Sequence, residues 1–233
     1  RTLGMSSFLN SYKIGIIKHA DSLSQEAANA ILKTLEEPKR DVVIILVTRN
    51  MERLPQTIVS RSQLLRFAPV PFEKIYEYLT AGKGVSRARA KTLARLSLGR
   101  PALAVKFYED QEFLDNYLKQ AGTFVRFFSQ DVNARFDGIT DLIGAKPSGQ
   151  DAVRLVRRVL QAWQGVLRDW LLYAYGQPDL VQHMALEKEL RIAGEKAGQE
   201  RAVNLQKALD EAWEQLEANV NPKLVLEGVA AAI

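Results

Sequence analysis

The sequence predicts a predominantly α-helical protein that begins with a short α/β segment. Strand signals are confined to the first third of the chain, and two apolar runs, Ile14–Ile17 and Val42–Val47, are the clearest of them. From Phe72 onward the apolar residues recur at the three- and four-residue spacing of helices. Pro69 and Pro71 favour an extended connector between these two parts. The helical part is therefore expected to form domains separate from the α/β segment.

The helical part divides into a region of short helices and a region of longer ones. Three short helical patterns come first, and longer ones follow from about Gln111. We predict three structural parts: an α/β part over residues 1–68, a small helical domain over 69–110 and a larger helical domain over 111–233.

The two apolar runs of the first part predict buried parallel strands. Ala28, Ile31, Leu32 and Leu35 lie between them at helical spacing, with Ser22 or Ser24 available as the N-cap and Pro38 closing the pattern. A helix in this position is the crossover that parallel strands require. A third strand is predicted over Gln63–Phe67.

In the rest of the chain, glycines predict where helices end, and apolar stripes predict which helix faces are buried. Breaks are predicted near Gly122, near Gly138 and over residues 144–149. The longest predicted helix, Asp151–Tyr175, carries an apolar stripe that includes Trp163 and Trp170, as expected for a helix-bundle core. A second apolar stripe at helical spacing follows later in the chain, formed by Ala202, Leu205, Leu209, Ala212 and Leu216. Asn221 and Pro222 predict the start of a final helix.

The composition excludes several classes of chemistry. The 233 residues include no cysteine and two histidines, His19 and His183, which excludes disulfides and thiol catalysis and makes a zinc or other metal site unexpected. No cofactor is implied. The formal net charge of +5 suits a neighbour of nucleic acid but does not require one. No apolar run approaches the roughly 20 residues of a membrane-spanning helix, so we expect no membrane association and a cytoplasmic location.

Three stretches together resemble clamp-loader subunits of the AAA+ superfamily: Lys13–Pro38 (KIGIIKHADSLSQEAANAILKTLEEP), Val47–Arg66 (VTRNMERLPQTIVSRSQLLR) and Leu216–Glu227 (LEANVNPKLVLE). The third is similar to the end of the collar domain in the delta-prime branch of that family. The resemblance implies the C-terminal half of a RecA-like α/β AAA+ domain, then a helical lid and a helical collar. Because no glycine-rich phosphate loop precedes the first strand and the chain starts at Arg1, we expect an N-terminal portion to be missing.

In the family, the strand at Ile14–Ile17 would be the Walker B strand, which ends in an acidic pair. This sequence has Lys18 and His19 there instead. Neither side chain supplies the oxygen ligands that Mg²⁺ requires, and Asp21 comes past the strand end. The position of the phosphate-sensing arginine in the second domain aligns with Ala102, two residues after Arg100. The resemblance therefore implies a subunit with no catalytic activity of its own.

Ser60, Arg61 and Ser62 resemble the Ser-Arg-Cys motif of the family, with serine in place of cysteine. The resemblance implies that Arg61 acts in trans as an arginine finger, reaching the nucleotide of an adjacent subunit, with Ser60 and Ser62 flanking it. Without the motif, an arginine paired with a local carboxylate would be the better interpretation. Thr48 and Asn50 match the sensor position, where we expect them to cap the next turn.

The resemblance also implies partners. These are the motor subunits and delta of a pentameric clamp-loader ring, primer-template DNA through the assembled complex, and the sliding clamp indirectly. Two alternatives stay open on the sequence: an active clamp-loader ATPase whose phosphate loop is missing, and a helical nucleic-acid-binding protein. Lys18 and His19 argue against the first, and the second would require salt-sensitive DNA binding by the isolated chain.

Overall fold

The computed structural model describes residues 12–37 and 41–233, and for residues 193–200 it describes the backbone alone. The chain divides into two compact units, with the division between Ala68 and Pro69. No helix of the described residues is both long enough and apolar enough to span a bilayer.

The first unit contains a parallel pair of strands joined by a helix. Strand β1 is Lys13–Lys18, helix α1 is Gln25–Glu36, strand β2 is Val42–Val47, and a short helix α2 is Gln56–Val59. β1 and β2 pair in parallel along their whole length. The predicted strand, crossover helix and second strand are therefore confirmed. Ser24 is the N-cap of α1, because its hydroxyl accepts a hydrogen bond from the Ala27 amide at 3.2 Å. The helix ends before Pro38, which lies outside the described residues.

The prediction that both strands are buried is wrong for one face of the sheet. Side chains alternate between the two faces of a strand. Ile14 and Ile16 of β1 are 60% and 59% exposed, and Val43 and Ile45 of β2 are exposed as well. Only the opposite face, which includes Ile17, is partly buried. The apolar character of both faces is typical of a strand covered on two sides, but among the described residues only one side is partly covered.

The predicted third strand over Gln63–Phe67 is also wrong. These residues have no regular secondary structure, and the Phe67 side chain is 95% exposed. A strand exists only where its backbone groups pair with a neighbouring strand, and the sheet of the described residues contains β1 and β2 alone. The apolar pattern was correct for a strand, but its pairing partner is absent from the described residues.

Residues 69–110 form three helices around a small core. Helix α3, Phe72–Glu77, continues into a π-helical turn at Tyr78–Gly82 and is followed by α4, Arg87–Leu96, and α5, Pro101–Glu109. All three predicted helices are confirmed. Their apolar faces share a buried cluster, whose largest members are these five residues: Ile75, Leu79, Leu93, Leu96 and Phe107.

A glycine joins α4 and α5 to the connector before α3. Gly99 has a φ of +71°, a left-handed conformation that glycine adopts without strain. A Cβ atom at this position would lie 2.6 Å from Cβ of Pro69, and the Gly99 carbonyl accepts a hydrogen bond from the Val70 amide at 2.8 Å. The connector can approach this closely only because residue 99 has no side chain.

Residues 111–233 form five helices: α6, Gln111–Phe127; α7, Val132–Ile143; α8, Gly149–Ala174; α9, Glu187–Glu217; and α10, Pro222–Ala232. α8 packs against α6 and α9, while α10 packs against α7 and α9. The predicted long helix is confirmed as α8. The predicted start of the final helix is confirmed too, because the Asn221 side chain accepts a hydrogen bond from the Lys223 amide at 2.9 Å.

The core of this five-helix domain is aromatic at its centre. Trp163 is fully buried, stacks on Phe124 at a centroid distance of 5.2 Å and donates its indole N–H to the Gln120 carbonyl at 3.1 Å. Trp170 is buried in the same cluster, as predicted, and Trp213 packs against it while remaining partly exposed. The stripe from Ala202 to Leu216 is buried throughout.

The helix breaks predicted near Gly122 and Gly138 are wrong. Both glycines lie inside continuous helices, α6 and α7, whereas the predicted break at Gly144 is present, with a φ of +83°. Glycine inside a helix costs only about 1 kcal/mol relative to alanine, which tertiary packing can offset. Packing explains why glycine occupies position 138, because a Cβ atom there would lie 2.8 Å from the Phe127 ring.

Candidate functional site

The end of strand β1 carries no carboxylate at the two positions where the family resemblance implies an acidic pair. Lys18 ends the strand with an exposed side chain, and His19 follows in a left-handed conformation with a φ of 54°. Asp21 lies in the 3₁₀ turn Ala20–Ser22 that comes next. An ammonium and an imidazole at the strand end supply no anionic oxygen ligands, so these two residues cannot hold a magnesium ion.

The polar residues after strand β2 cap the next turn, as predicted. The Thr48 hydroxyl donates to the Asn50 carbonyl at 2.9 Å and accepts from the Asn50 amide at 3.1 Å. The Asn50 side-chain oxygen accepts from the Glu52 amide at 2.9 Å. Both side chains therefore have local backbone partners, which is the usual role of Thr and Asn at such turns.

Arg61 lies in a turn that continues from helix α2. Its amide donates to the Ile58 carbonyl at 3.2 Å, and the flanking serines also bond back to the helix. The Ser60 hydroxyl donates to the Thr57 carbonyl at 3.1 Å, and the Ser62 hydroxyl donates to the Ile58 carbonyl at 2.7 Å. The backbone on both sides of Arg61 is therefore fixed by hydrogen bonds to helix α2.

The Arg61 guanidinium is accessible and loosely held. One nitrogen, Nη2, lies 3.3 Å from Oε1 of Glu36, and Nη1 donates to the Thr57 carbonyl at 3.3 Å. The Arg61 side chain is 41% exposed, and the Glu36 side chain is 52% exposed. An ion pair this exposed contributes about 0–1 kcal/mol, because solvent screens it. The guanidinium can therefore exchange Glu36 for another anion at little energetic cost.

The second-domain position aligned with a phosphate-sensing arginine has no cationic side chain. Ala102 is exposed in the first turn of helix α5. The nearby Arg100 precedes this helix, and its Nε atom donates to the Ser97 carbonyl at 3.0 Å. Arg100 is thus bound to its own loop.

A buried polar cluster in the five-helix domain was not predicted from the sequence. Asp169 on α8 is fully buried, and its Oδ2 atom accepts three hydrogen bonds: from the Gln182 amide at 2.9 Å, from the His183 amide at 2.7 Å and from His183 Nδ1 at 2.7 Å. The second oxygen, Oδ1, lies 3.3 Å from Nη1 of Arg168. Asp169 thereby fixes the loop after α8 to the helix.

The same cluster reaches α6 and the core of residues 69–110. In the tautomer that donates from Nδ1 to the Asp169 carboxylate, His183 accepts at Nε2 from the Tyr117 hydroxyl, 2.9 Å away. The Tyr117 ring also packs against Phe107 of α5, with the ring centroids 5.0 Å apart. Burial raises the pKa of the Tyr117 hydroxyl. The sequence signal for this cluster was an acidic residue between Leu167 and Trp170 of an apolar stripe.

Comparisons with known proteins find similarity to subunits of bacterial DNA polymerase III. Residues 1–71 match the family model described as DNA polymerase III, delta subunit. The chain is 30% identical over 224 residues to the DNA polymerase III delta-prime subunit of Bacillus subtilis. This alignment covers 92% of this chain and 64% of the relative. The delta-prime subunit of Escherichia coli is 36% identical over 101 residues, covering 43% of this chain and 30% of the relative.

A solved structure has a similar fold. The DNA polymerase III gamma subunit-related protein of Thermotoga maritima superposes with a TM-score of 0.50 at 21% sequence identity, covering 98% of this chain and 74% of that protein. The fold, a parallel β-α-β unit followed by a mainly helical part, is the one expected from the resemblance to AAA+ clamp-loader subunits. The chain is similar to bacterial DNA polymerase III delta-prime subunits over most of its own length. It spans about two thirds or less of the length of these delta-prime relatives.

Proposed function

We propose that this chain is a clamp-loader subunit that does not hydrolyse ATP but supplies Arg61 to the ATP site of a neighbouring subunit. Its role is to help load the sliding clamp onto primed DNA during replication. The observation that carries the proposal is the combination of an accessible arginine on a held turn with a strand end that has no carboxylates, at Lys18 and His19. The similarity to DNA polymerase III delta-prime subunits supports the same role.

The chemistry requires a guanidinium rather than any cation. Charge develops on the phosphoryl oxygens during transfer, and a planar fork of N–H donors contacts two oxygens at once. A guanidinium held by an exposed ion pair to Glu36 and by weak contacts to the Thr57 carbonyl and the Ser60 hydroxyl can leave them for a phosphate. The chain itself binds no magnesium in this scheme, and the reaction takes place in the adjacent subunit.

The partners in this proposal are the motor subunits and delta of a pentameric ring in the cytoplasm. Residues 111–233 form the collar, through which the subunits join. Primer-template DNA is contacted through the assembled complex, and the sliding clamp is engaged indirectly. Substitution of Arg61 should therefore impair ATP turnover more than assembly.

The test uses a complete clamp loader reconstituted with the subunit that carries this chain. Arg61→Ala should leave the complex intact on gel filtration but lower hydrolysis at the neighbouring site by ~10³–10⁵, the value of an arginine finger in related reactions. Because the other sites keep their own arginines, the total DNA- and clamp-stimulated ATPase should fall only in part. Arg61→Lys should restore little, because it keeps the charge and loses the planar fork.

Two control variants separate the role in trans from a local structural role. Glu36→Gln removes the ion pair seen within this chain, so it should leave ATPase unchanged if Arg61 acts on a neighbour. Arg53→Ala removes another exposed arginine of the same unit and should have no effect. If Glu36→Gln reproduced the defect of Arg61→Ala, or if Arg61→Ala had no defect, the in-trans role would be wrong.

A further inference from the structure

A groove lies between helices α5, α6 and α8, where residues 69–110 meet residues 111–233. It has a volume of about 510 Å³ and adjoins a second hollow of about 370 Å³, since Leu155 and Arg158 line both. We call the two hollows together the lid–collar groove. A volume in this range is that of a ligand-binding cleft rather than of a packing defect.

The rim of the lid–collar groove is positively charged. Five cationic side chains line it: Arg100, Lys106, Lys119, Arg154 and Arg158. Three acidic side chains line it as well, and two of these already have partners. Asp110 accepts from the Phe113 amide as the N-cap of α6, and Asp151 is paired with Arg154. Asp151 and Arg154 neutralise each other, and the four other cationic side chains outnumber the two other carboxylates, so the net charge favours an anionic ligand.

The floor of the lid–collar groove is apolar. It is formed by Leu103, Phe113, Leu142 and Leu155. Apolar side chains exposed at the bottom of a cleft with a cationic rim fit a ligand that carries both acidic and aliphatic groups. A free phosphate or another small anion would leave this floor uncovered.

The aromatic residue of the floor argues against a single-stranded nucleic acid. Such strands bind mainly by stacking bases on open aromatic faces. The Phe113 ring has the Lys106 ammonium 4.2 Å from its centroid and the Phe107 ring at a centroid distance of 5.6 Å. The Lys106 ammonium lies over one face of the Phe113 ring, where a stacked base would have to displace it, so the groove favours aliphatic contacts over base stacking.

We propose that the lid–collar groove binds an acidic peptide segment of a partner protein, with aspartate or glutamate side chains at the cationic rim and aliphatic side chains on the apolar floor. Arg158 is central to this site, because it lines both hollows and stands beside the floor residue Leu155. The site is independent of Arg61 and of the proposed in-trans role.

The probe for this site is a short fluorescein-labelled peptide of Asp-Asp-Leu repeats, titrated with the 233-residue chain and followed by fluorescence anisotropy. We expect a Kd of roughly 100 µM or tighter at low salt, and weaker binding as salt rises. Two matched peptides test the two chemical features. Replacing aspartate with asparagine removes the charge, and replacing leucine with serine removes the apolar contact, so each should weaken binding.

Charge-reversal variants locate the site. Arg158→Glu and Lys106→Glu should each raise the Kd at least about fivefold, as expected from replacing one favourable exposed ion pair with a repulsion. Lys207→Glu, an equal charge change on the exposed face of α9 outside the groove, should leave the Kd unchanged. All three side chains are exposed, and circular dichroism checks that the fold is kept.

Three results would overturn the proposal. The first is no peptide binding at millimolar protein concentration. The second is an equal loss of affinity in the Lys207→Glu control, which would mean a general charge effect. The third is tighter binding of a single-stranded oligothymidylate than of the peptide, which would make the groove a nucleic-acid site.

Discussion

Removing the Asp169 carboxylate should destabilise the five-helix domain by about 3 kcal/mol or more, because three buried hydrogen-bond donors lose their acceptor. Its Oδ2 atom is the acceptor for two backbone amides, Gln182 and His183, and for the His183 ring, at 2.7–2.9 Å. The side chain is completely buried, so water cannot replace it. Each buried donor left without a partner costs about 1–3 kcal/mol. Asp169→Ala would leave these donors unsatisfied and add a cavity.

Tryptophan fluorescence is a suitable assay because all three tryptophans of the chain, Trp163, Trp170 and Trp213, lie in the five-helix domain. Urea titration followed at the tryptophan emission gives the free energy of unfolding by linear extrapolation. Asp169→Asn keeps one acceptor oxygen and loses the charge, so its loss should be smaller than that of Asp169→Ala.

The control is Asp141→Ala, which removes an exposed carboxylate of helix α7 and should change stability by less than about 0.5 kcal/mol. A loss below about 1 kcal/mol for Asp169→Ala would refute the reasoning, because it would mean that water or another acceptor satisfies the loop amides.

Two further perturbations test packing and titration in the same domain. Gly138→Ala should destabilise it by about 1–3 kcal/mol in urea titration, because the added Cβ would lie 2.8 Å from the buried Phe127 ring. Gly122→Ala, with nothing within 4 Å, should instead stabilise it by up to about 1 kcal/mol, and a loss in this variant would contradict the packing argument. Burial raises the pKa of Tyr117 in the folded state, so its contribution to stability is complete below about pH 10 and is lost as the pH rises through the folded pKa. The free energy of unfolding should therefore decline less between about pH 9 and pH 11 in Tyr117→Phe than in the parent chain, and equal declines would show that Tyr117 does not titrate differently on folding.

The sequence predicted those elements whose signal is local. The apolar stripe of α8, with Trp163 and Trp170, and the Asn221–Pro222 start of α10 depend on residues within a few positions of each other. The same is true of Thr48 and Asn50, whose hydrogen bonds lie within one turn. Periodicity and capping are local properties, so they can be recognised without knowing what the element packs against.

The wrong predictions have a common physical origin. Gln63–Phe67 has the composition of a strand, but pairing depends on a second strand that its own residues do not specify. Gly122 and Gly138 lower helix propensity, but the helices around them are held by tertiary contacts worth more than that loss. In both cases the decisive interaction lies outside the segment.

The candidate site also has one part that the sequence predicted and another that only the structure showed. Arg61 and its flanking serines were identified from adjacent residues, whereas the pairing of Arg61 with Glu36 appears only after α1 and α2 come together. The sequence therefore indicated which guanidinium to examine. The structure showed that the guanidinium is accessible and that its ion pair is weak enough to exchange.

By itself, the sequence determined the helical class of the protein and the parallel β-α-β unit, and it singled out Arg61 through a resemblance to a clamp-loader motif. Only the tertiary structure revealed the Asp169–His183–Tyr117 cluster and the lid–collar groove. Tyr117 and His183 are 66 positions apart in the chain, and the groove is lined by residues from several helices. Side chains so distant in sequence become neighbours only when helices pack, and helix packing is decided by long-range complementarity rather than by local pattern.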